Sequence, residues 1–435
     1  MPHRTPWTRV LSGLMVTLIV SVIVSVFYPP ASIVAGLLLL SIAIAGSGGL
    51  PRGQKITVSV LATLGTSLWL MGVWRGHEPS LQSTFSVNQT IVAMILAVSF
   101  VTIVAKPRSE SPPRLIGIPA VFRTALASHL LGSVINLSAV TIVGDQLKKG
   151  RTLSLPDALL LSRTYSVGAY WSPFWAAAAV ALAFAPGADV SVLVLMGFSA
   201  AMGALVLGTW GVARRLGPEV AQYKGYALNP TVIALPVALV SSVVTTHFLW
   251  PEVKTTNLVL MSALGLTFVV LAWEKPRGFT KALFNHAIDV LPAMRSESIL
   301  FAGAGVLASG FAAFLPTAEV EIPDVVFGVL FAWLAMISVI ILSTLGVHQI
   351  ISIGVLATVT APLAPNPTLF AMACTIAWGT SAALSPISGL NLFIMGRYRV
   401  DAGSLSRGNL LYALGVVVIA APVLVAVAAQ QGVGW

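Results

Sequence analysis

The chain has 435 residues, of which 57% are hydrophobic and only 9% are charged, and its formal net charge is +10. This composition leaves too little polar surface for a water-soluble fold, and the longest polar interval, near 274–297, has no room for a soluble catalytic domain. The single cysteine, Cys374, excludes an intrachain disulfide and a cysteine-built metal site, and the basic residues are scattered over short loops, so they predict no nucleic-acid-binding patch.

Apolar runs long enough to cross about 30 Å of hydrocarbon as helices recur along the whole chain. They predict an all-α polytopic membrane protein. The first run, 10–28, is longer than a signal-peptide core and is followed by no cleavage pattern, so we expect a retained first helix. Further helices are predicted near 31–46, 56–74 and 88–105. If the N-terminus is inside, these helices place the basic loops on the inner face, as the positive-inside rule requires.

The next apolar segment, 116–143, has basic residues at both of its ends. Because basic flanks indicate the inner face, the segment should return to the side from which it came. It is too short for two full crossings. We therefore predict a re-entrant hairpin with its tip near 132–138.

The chain contains the order of hairpin, broken helix and helix twice. A broken helix over 155–185 and a helix over 189–211 follow the first hairpin, and a second hairpin over 325–362, a broken helix over 366–397 and a helix over 409–430 follow the later scaffold. The second hairpin is predicted to enter from the outer face, which gives about eleven crossings and an inverted repeat, a mark of many secondary transporters. The predicted division is 1–105 scaffold, 106–211 first transport half, 212–315 loop and scaffold, and 316–435 second transport half.

Each broken helix contains a Ser-Pro pair, and the two pairs are 213 positions apart. Proline removes an amide donor and frees a carbonyl one turn back, and glycine lets the backbone bend or approach a ligand. Freed carbonyls can hold a cation, although a proline kink in a packing helix is the simpler alternative. The residues predicted to form the backbone breaks or a coupling-ion site are Ser166, Gly168, Ser172, Pro173, Thr380, Ser381, Ser385 and Pro386.

Polar residues at the predicted hairpin tips are candidates for solute binding, because polar groups at membrane depth are expensive unless they face a cavity or the bundle. Ser133 and Asn136 lie at the first tip, and His348 and Gln349 lie at the second. His348 could also carry a proton, and each of these side chains could instead cap a half-helix. Arg163, inside its helix, could attract an anion or extend its charged end to the interface.

The order of hairpin, broken helix and helix, repeated after scaffold helices, resembles the ion transporter superfamily. This group includes the divalent anion–sodium symporters, the arsenite permeases and the membrane subunits of tripartite periplasmic transporters. The segment "GTSAALSPISGLN" is similar to the Pro-x-Ser/Thr-x-x-Asn stretch of the symporters. The resemblance implies an elevator mechanism, a homodimer and substrate binding by Ser388 and Asn391.

The tips depart from the symporter pattern. They read "GSVIN" and "GVHQI" where the symporters have Ser-Asn-Thr, so the resemblance does not imply dicarboxylate specificity. The broken helices also lack the acidic residues of the superfamily's sodium–proton antiporters.

The main hypothesis is a secondary active transporter in the bacterial inner membrane, with the C-terminus outside, that moves a small anionic or polar solute. It would use Na⁺ or H⁺ for coupling and no other cofactor. An arsenite-like metalloid-oxyanion efflux permease is the second transporter hypothesis. A channel or an intramembrane enzyme are the alternatives from other classes, although the sequence contains no recognisable catalytic motif or catalytic residue set.

Overall fold

The computed structural model describes residues 5–434 apart from 87, 106–114, 136, 149–152, 227–229 and 319–326. It is 84% helical, and its described residues form no β-strand beyond a single bridge between Ile116 and Lys224. Nine helical segments within these ranges are long and apolar enough to cross a membrane. The chain is therefore an all-α polytopic membrane protein, as its composition predicts.

The chain divides into two compact units. The first consists of Met1–Val104 and Ser242–Pro323, and the second consists of Ala105–Ser241 and Asp324–Trp435. Residues 212–241 fall in the second unit, which also contains both predicted hairpins and both predicted broken helices.

The helices are numbered along the chain. The first unit begins with α1 (Pro6–Phe27), α2 (Ala31–Gly46), α3 (Arg52–Trp74), α4 (Leu81–Phe85) and α5 (Gln89–Ser99). The second unit begins with α6 (Ile118–Ile135), α7 (Leu137–Leu147), α8 (Leu155–Ser166), α9 (Ala176–Phe184) and α10 (Val190–Leu216), and α11 (Pro230–Leu249) runs from it into the first unit. The first unit ends with α12 (Thr255–Glu274), α13 (Phe279–Asp289) and α14 (Arg295–Phe314). The second unit ends with α15 (Val329–Thr344), α16 (Gln349–Thr360), α17 (Pro367–Leu384), α18 (Gly389–Tyr398) and α19 (Ala402–Gln430).

Glycines bring α3 and α14 of the first unit into close backbone contact. A Cβ added at Gly65 would lie 2.5 Å from the carbonyl oxygen of Val306, and one at Gly310 would collide with the carbonyl of Gly65. Small residues permit such close packing between membrane helices, where lipid offers no hydrophobic driving force for association. The glycines therefore determine how α3 and α14 pack.

The polar interval near 274–297 contains a helix, α13. The Nε2 atom of His286 on α13 lies 2.9 Å from the Ser99 hydroxyl at the end of α5, and the imidazole ring packs on Phe100. This buried contact explains why a polar segment is ordered as a helix, and its partner is too distant in sequence to be recognised from the interval itself.

The second unit contains the same five-helix order twice. The helices α6, α7, α8, α9 and α10 each begin 211 to 213 residues before α15, α16, α17, α18 and α19 respectively. In both sets the first two helices pack against each other. A two-fold repeat of structure therefore accompanies the sequence offset of the Ser-Pro pairs.

Side-chain caps fix where the main helices of each repeat begin. Ser154 forms a capping box with Asp157 at the start of α8, and Asn366 accepts hydrogen bonds from the Thr368 and Leu369 amides at the start of α17. Asp189 and Asp401 cap α10 and α19. Because Asp401 begins α19, this helix starts earlier than the predicted 409.

The turn between α15 and α16 follows from the residues "LGVH". Gly346 has a φ of 108° and ends α15 in a Schellman motif, in which the Val347 amide donates to the Leu342 carbonyl at 2.9 Å. His348 then begins α16 as its N-cap. Asn136, a predicted site residue of the first repeat, lies outside the described residues.

Replacing Gly310 by alanine is expected to destabilise the first unit, because the new methyl group would meet the Gly65 backbone, which has no flexible end to move aside. Overpacking of this kind costs about 1–3 kcal/mol. The thermal unfolding midpoint of the purified protein measures the effect. The matched control is Gly265→Ala on α12, where nothing lies within 4 Å of the added Cβ. Equal midpoints for the two variants would contradict the packing account.

Candidate functional site

The first interrupted helix is attached to the end of α6. After α8 the chain makes a 3₁₀ turn over Val167–Tyr170 and is extended at Trp175 before α9 begins. The Ser172 hydroxyl donates a hydrogen bond to the Ser133 carbonyl, and the Trp175 indole donates to the Gly132 carbonyl at 2.8 Å. Both donors bind carbonyls in the last turn of α6, which have no amide donor within the helix.

A second contact joins the first break to α6 about one turn earlier on that helix. The Trp171 indole lies 3.2 Å from Nε2 of His129, and Nδ1 of His129 lies 3.3 Å from the Thr164 carbonyl. Because an indole N–H can only donate, Nε2 accepts and the imidazole carries its proton on Nδ1. This fully buried histidine therefore joins α6, α8 and the first break as a neutral ring.

Side chains replace the backbone hydrogen bonds that the second break removes. Pro386 has no amide to donate to the Ala382 carbonyl one turn back, and the Ser388 hydroxyl donates to that carbonyl at 2.7 Å instead. The Asn391 amide group donates to the carbonyls of Ala383 at 2.8 Å and Ser385 at 2.9 Å. Ser388 and Asn391 thus satisfy the opened end of α17.

The second interrupted helix is attached to α15 in the same way that the first is attached to α6. The Ser385 hydroxyl donates to the Ser343 carbonyl at 2.6 Å, in the last turn of α15. Ser172 and Ser385 are 213 positions apart, and each binds the end of the first helix of its own helical pair. The Ser-Pro serines are therefore equivalent members of the repeat.

Arg163 is held inside the second unit by acceptors of the protein. Its guanidinium donates to the Asn409 side chain at 2.8 Å and to the carbonyls of Gly408 at 2.7 Å and Gly208 at 3.1 Å, and it lies over the Tyr412 ring. It is 6% exposed. These contacts occupy the charge that was predicted to attract an anion or to extend to the interface.

Asn409 connects this arginine to the second break. Its amide group donates to the Ala383 carbonyl at 2.8 Å and to the Ser162 hydroxyl at 3.2 Å, and Ser162 in turn donates to Asn391 at 3.2 Å. All of these groups are buried. The network joins α8 and α19 to the interruption of α17 and α18.

The first interruption packs against α17, one turn or more before the second break. The Tyr170 and Thr380 hydroxyls are 2.9 Å apart. A Cβ added at Gly379 would lie 2.5 Å from the Tyr170 ring and 2.6 Å from the Ser166 carbonyl. Gly379 therefore permits the first break to lie against α17.

His348 acts as a cap at the second turn. Its Nδ1 accepts a hydrogen bond from the Ile350 amide at 3.3 Å, and its ring meets the Trp378 ring edge-on with centroids 5.9 Å apart. Acceptance at Nδ1 places the proton on Nε2, and among the described residues Nε2 has no hydrogen-bond partner. The neighbouring Gln349 is 5% exposed.

Two serine hydroxyls near the second break have no hydrogen-bond partner among the described residues. Ser381 is fully buried one turn before Ser385, and Ser343 is 1% exposed at the end of α15. Ser381 was predicted as a coupling-ion residue, whereas Ser343 was not predicted. Buried polar groups usually have partners, so orphaned ones require an explanation.

The second helices of the two pairs, α7 and α16, make contacts of different chemistry with the other repeat. Asp145 in the last turn of α7 accepts from Nε of Arg397 at 3.3 Å and from the Tyr398 hydroxyl at 3.2 Å, where α18 ends. In the other repeat, the end of α9 meets α16 through the apolar contact of Phe184 with Gly354. In the described residues, the contact of α7 with α18 includes an ion pair, whereas that of α16 with α9 is apolar at Phe184 and Gly354.

The predicted residues lie in distinct places within this arrangement. Ser133 and Gly168 meet at the first break, since a Cβ at Gly168 would lie 3.3 Å from the Ser133 Cα. Ser166 ends α8, and its carbonyl faces Gly379. Thr380 and Ser381 were predicted at the break but lie inside α17, which continues to Leu384. Ser385, Ser388 and Asn391 surround the second break. Tyr170 and Asn409 were missed, although a polar side chain within an apolar helix is itself a signal of a functional or buried network.

Removal of the Ser385 hydroxyl is expected to loosen the attachment of α15 to the second break. Ser385→Ala loses a buried hydrogen bond worth about 1 kcal/mol, so the amides at 345–350 should exchange with deuterium faster. Hydrogen exchange followed by mass spectrometry measures this. The control is Ser338→Ala on α15, whose exposed hydroxyl binds only the Leu334 carbonyl of its own helix. Unchanged exchange in Ser385→Ala would refute the attachment.

Comparison with known proteins assigns no family to this chain. A scan against protein-family models found no match, and a search of curated proteins found no similar sequence. The function proposed below therefore rests on the geometry of the second unit.

Proposed function

We propose that this protein is a secondary active transporter that moves a small anionic or polar solute across the membrane, coupled to Na⁺ or H⁺. The observation that carries the proposal is the repeated attachment of an interrupted helix to a helical pair. In both repeats a Ser-Pro serine binds the last turn of the pair's first helix. A proline kink in a packing helix explains one interruption, but it does not account for two with the same partner at the same offset.

The proposed architecture is that of an elevator. The pairs α6–α7 and α15–α16 are re-entrant hairpins that enter from opposite faces, and the repeat is inverted. About eleven helices cross the bilayer, which is proposed to be the bacterial inner membrane, with the N-terminus in the cytoplasm and the C-terminus outside. The working form is proposed to be a homodimer.

The hydrogen-bonding groups that remain available indicate what the solute meets. Most carbonyls at the second break are bound to Ser388, Asn391 and Asn409, so the opened backbone is less available than its sequence suggests. Among the described residues, the Nε2–H of His348 and the hydroxyls of Ser381 and Ser343 have no hydrogen-bond partner. They offer a donor to an anionic or polar solute and oxygen ligands to Na⁺.

An arsenite-like metalloid-oxyanion permease is the second candidate. Hydroxyl and imidazole groups without a fixed charge suit a neutral hydroxylated solute as well as an anion, and Arg163 is occupied by protein acceptors. A channel would conduct without counterflow, and an enzyme would consume its solute. These classes differ in flux behaviour.

Purified protein in proteoliposomes provides the test. A panel of small anions and metalloid oxyanions, with and without Na⁺ or a proton gradient, should contain a solute whose uptake saturates. Internal unlabelled solute should accelerate entry of the labelled solute, because a carrier exchanges bound solute between the faces. Conductance without counterflow, or chemical conversion of the solute, would contradict the proposal.

His348 is expected to contact the solute as well as cap α16, and two substitutions separate these roles. Asparagine is a good N-cap, so His348→Asn should keep the thermal midpoint of the native protein but lose the Nε2–H donor. Half-saturation should then rise about tenfold, the equivalent of about 1.4 kcal/mol. His348→Ala should lower the thermal midpoint and raise half-saturation. Native affinity in His348→Asn would leave His348 as a cap only.

A further inference from the structure

The first unit contains a cavity of about 550 Å³ that the proposed transport function does not use. It lies between α2, α3 and α14 and the segment at 77–85. Its lining is mainly apolar and includes Leu39, Leu40, Trp69, Val73, Phe85 and Val306. The volume is within the range of about 300–1,000 Å³ typical of small-molecule sites.

Small residues line this space. Gly36, Gly65 and Gly305 are part of the lining, one from each of its three long helices. A Cβ at Gly36 would collide with the Phe85 carbonyl and one at Gly65 would lie 2.5 Å from the Val306 carbonyl oxygen, so these two glycines let the walls of the cavity pack closely. The cavity is thus a built feature of how these three helices pack.

The cavity extends over roughly one leaflet of the bilayer. It reaches from Gly65 to Val73 on α3, about 12 Å at 1.5 Å per residue, and half of the hydrocarbon core is about 15 Å. At Gly76, with a φ of 94°, α3 ends in a Schellman motif that turns His77 and Glu78 to the mouth of the cavity. One end of the cavity is therefore at the membrane surface and the other is near the middle.

Charged residues of both signs lie near the end of α3. Glu78 lines the cavity. Arg75, outside the lining, caps α3 three residues earlier; its guanidinium donates to the Thr317 carbonyl at 3.4 Å and lies over the Phe314 ring, and it is exposed. The Nε1 atom of Trp69, a cavity residue, is buried and has no hydrogen-bond partner among the described residues. An ammonium group complements Glu78, a phosphate complements Arg75, and an ester carbonyl complements the indole N–H.

We infer that this cavity binds the acyl chain of one phospholipid with a zwitterionic headgroup. The apolar lining holds the chain, and the ammonium and phosphate groups lie at Glu78 and Arg75. The length of the cavity suits an acyl chain, and the charges of Glu78 and Arg75 suit a zwitterionic headgroup. An anionic lipid would bring its net negative charge to Glu78. The bilayer supplies such a ligand to any site that opens on one leaflet.

Native mass spectrometry tests the inference on full-length protein released from nanodiscs of equal parts phosphatidylethanolamine and phosphatidylglycerol. The native chain should retain one phosphatidylethanolamine that Gly305→Leu, which fills the cavity, does not retain. The control is Gly265→Leu, at an exposed position of α12 away from the cavity. Glu78→Gln should lower the ratio of retained phosphatidylethanolamine to phosphatidylglycerol by about two- to fivefold.

The control for the charge is Glu252→Gln, an exposed acidic residue of the same unit outside the cavity. Equal lipid retention in the native chain and Gly305→Leu would overturn the site, and equal retention of the two lipids by the native chain would overturn the headgroup assignment. A change of oligomeric mass in Gly305→Leu without loss of lipid would assign the cavity to a second copy and overturn the inference. If Gly305→Leu does not fold, the test is the ratio of retained phosphatidylethanolamine to phosphatidylglycerol in the two charge variants. A lower ratio in Glu78→Gln than in Glu252→Gln supports the inference, and equal ratios overturn it.

Discussion

The backbone groups released at two helix breaks are the constraint on which the second unit depends. At membrane depth no water is present to satisfy them, so the protein must supply every partner itself. At the second break, Ser388, Asn391 and Asn409 donate to the opened end of α17. In the other direction, the side chains of Ser172, Trp175 and Ser385 donate from the breaks to carbonyls in the last turns of α6 and α15. This requirement explains why so many buried polar residues of the unit surround the two interruptions.

The same requirement binds the elements to one another. A side chain of a break also attaches the break to a neighbouring helix, as the Ser385 hydroxyl does by donating to the Ser343 carbonyl of α15. The repeats nevertheless differ at the ends of their helical pairs, where Asp145 and Arg397 form an ion pair on one side and Phe184 packs on Gly354 on the other. Because the ion pair is exposed, salt should screen it, whereas the apolar contact has no such dependence.

Local signals predicted the elements, whereas long-range contacts decided the site. Ser154 with Asp157, and Asn366 before Pro367, mark helix starts in the sequence, and "LGVH" contains the glycine and the cap of the second turn. The contacts of Arg163 with Asn409 and of Tyr170 with Thr380 join residues 246 and 210 positions apart. No spacing rule connects such residues, so Arg163 was read as an anion or interface residue and Asn409 was overlooked.

The central claim is that α6–α7 and α15–α16 are hairpins that enter from opposite faces, and labelling of single cysteines tests it most directly. In a Cys374→Ala background, cysteines replace Leu115 and Lys148 around the first pair, and Gly328 and Asn366 around the second. A membrane-impermeant thiol reagent should label the first two positions only from the inner face and the last two only from the outer face. If the two positions around either pair react from different faces, that pair crosses the membrane and the inverted repeat is wrong.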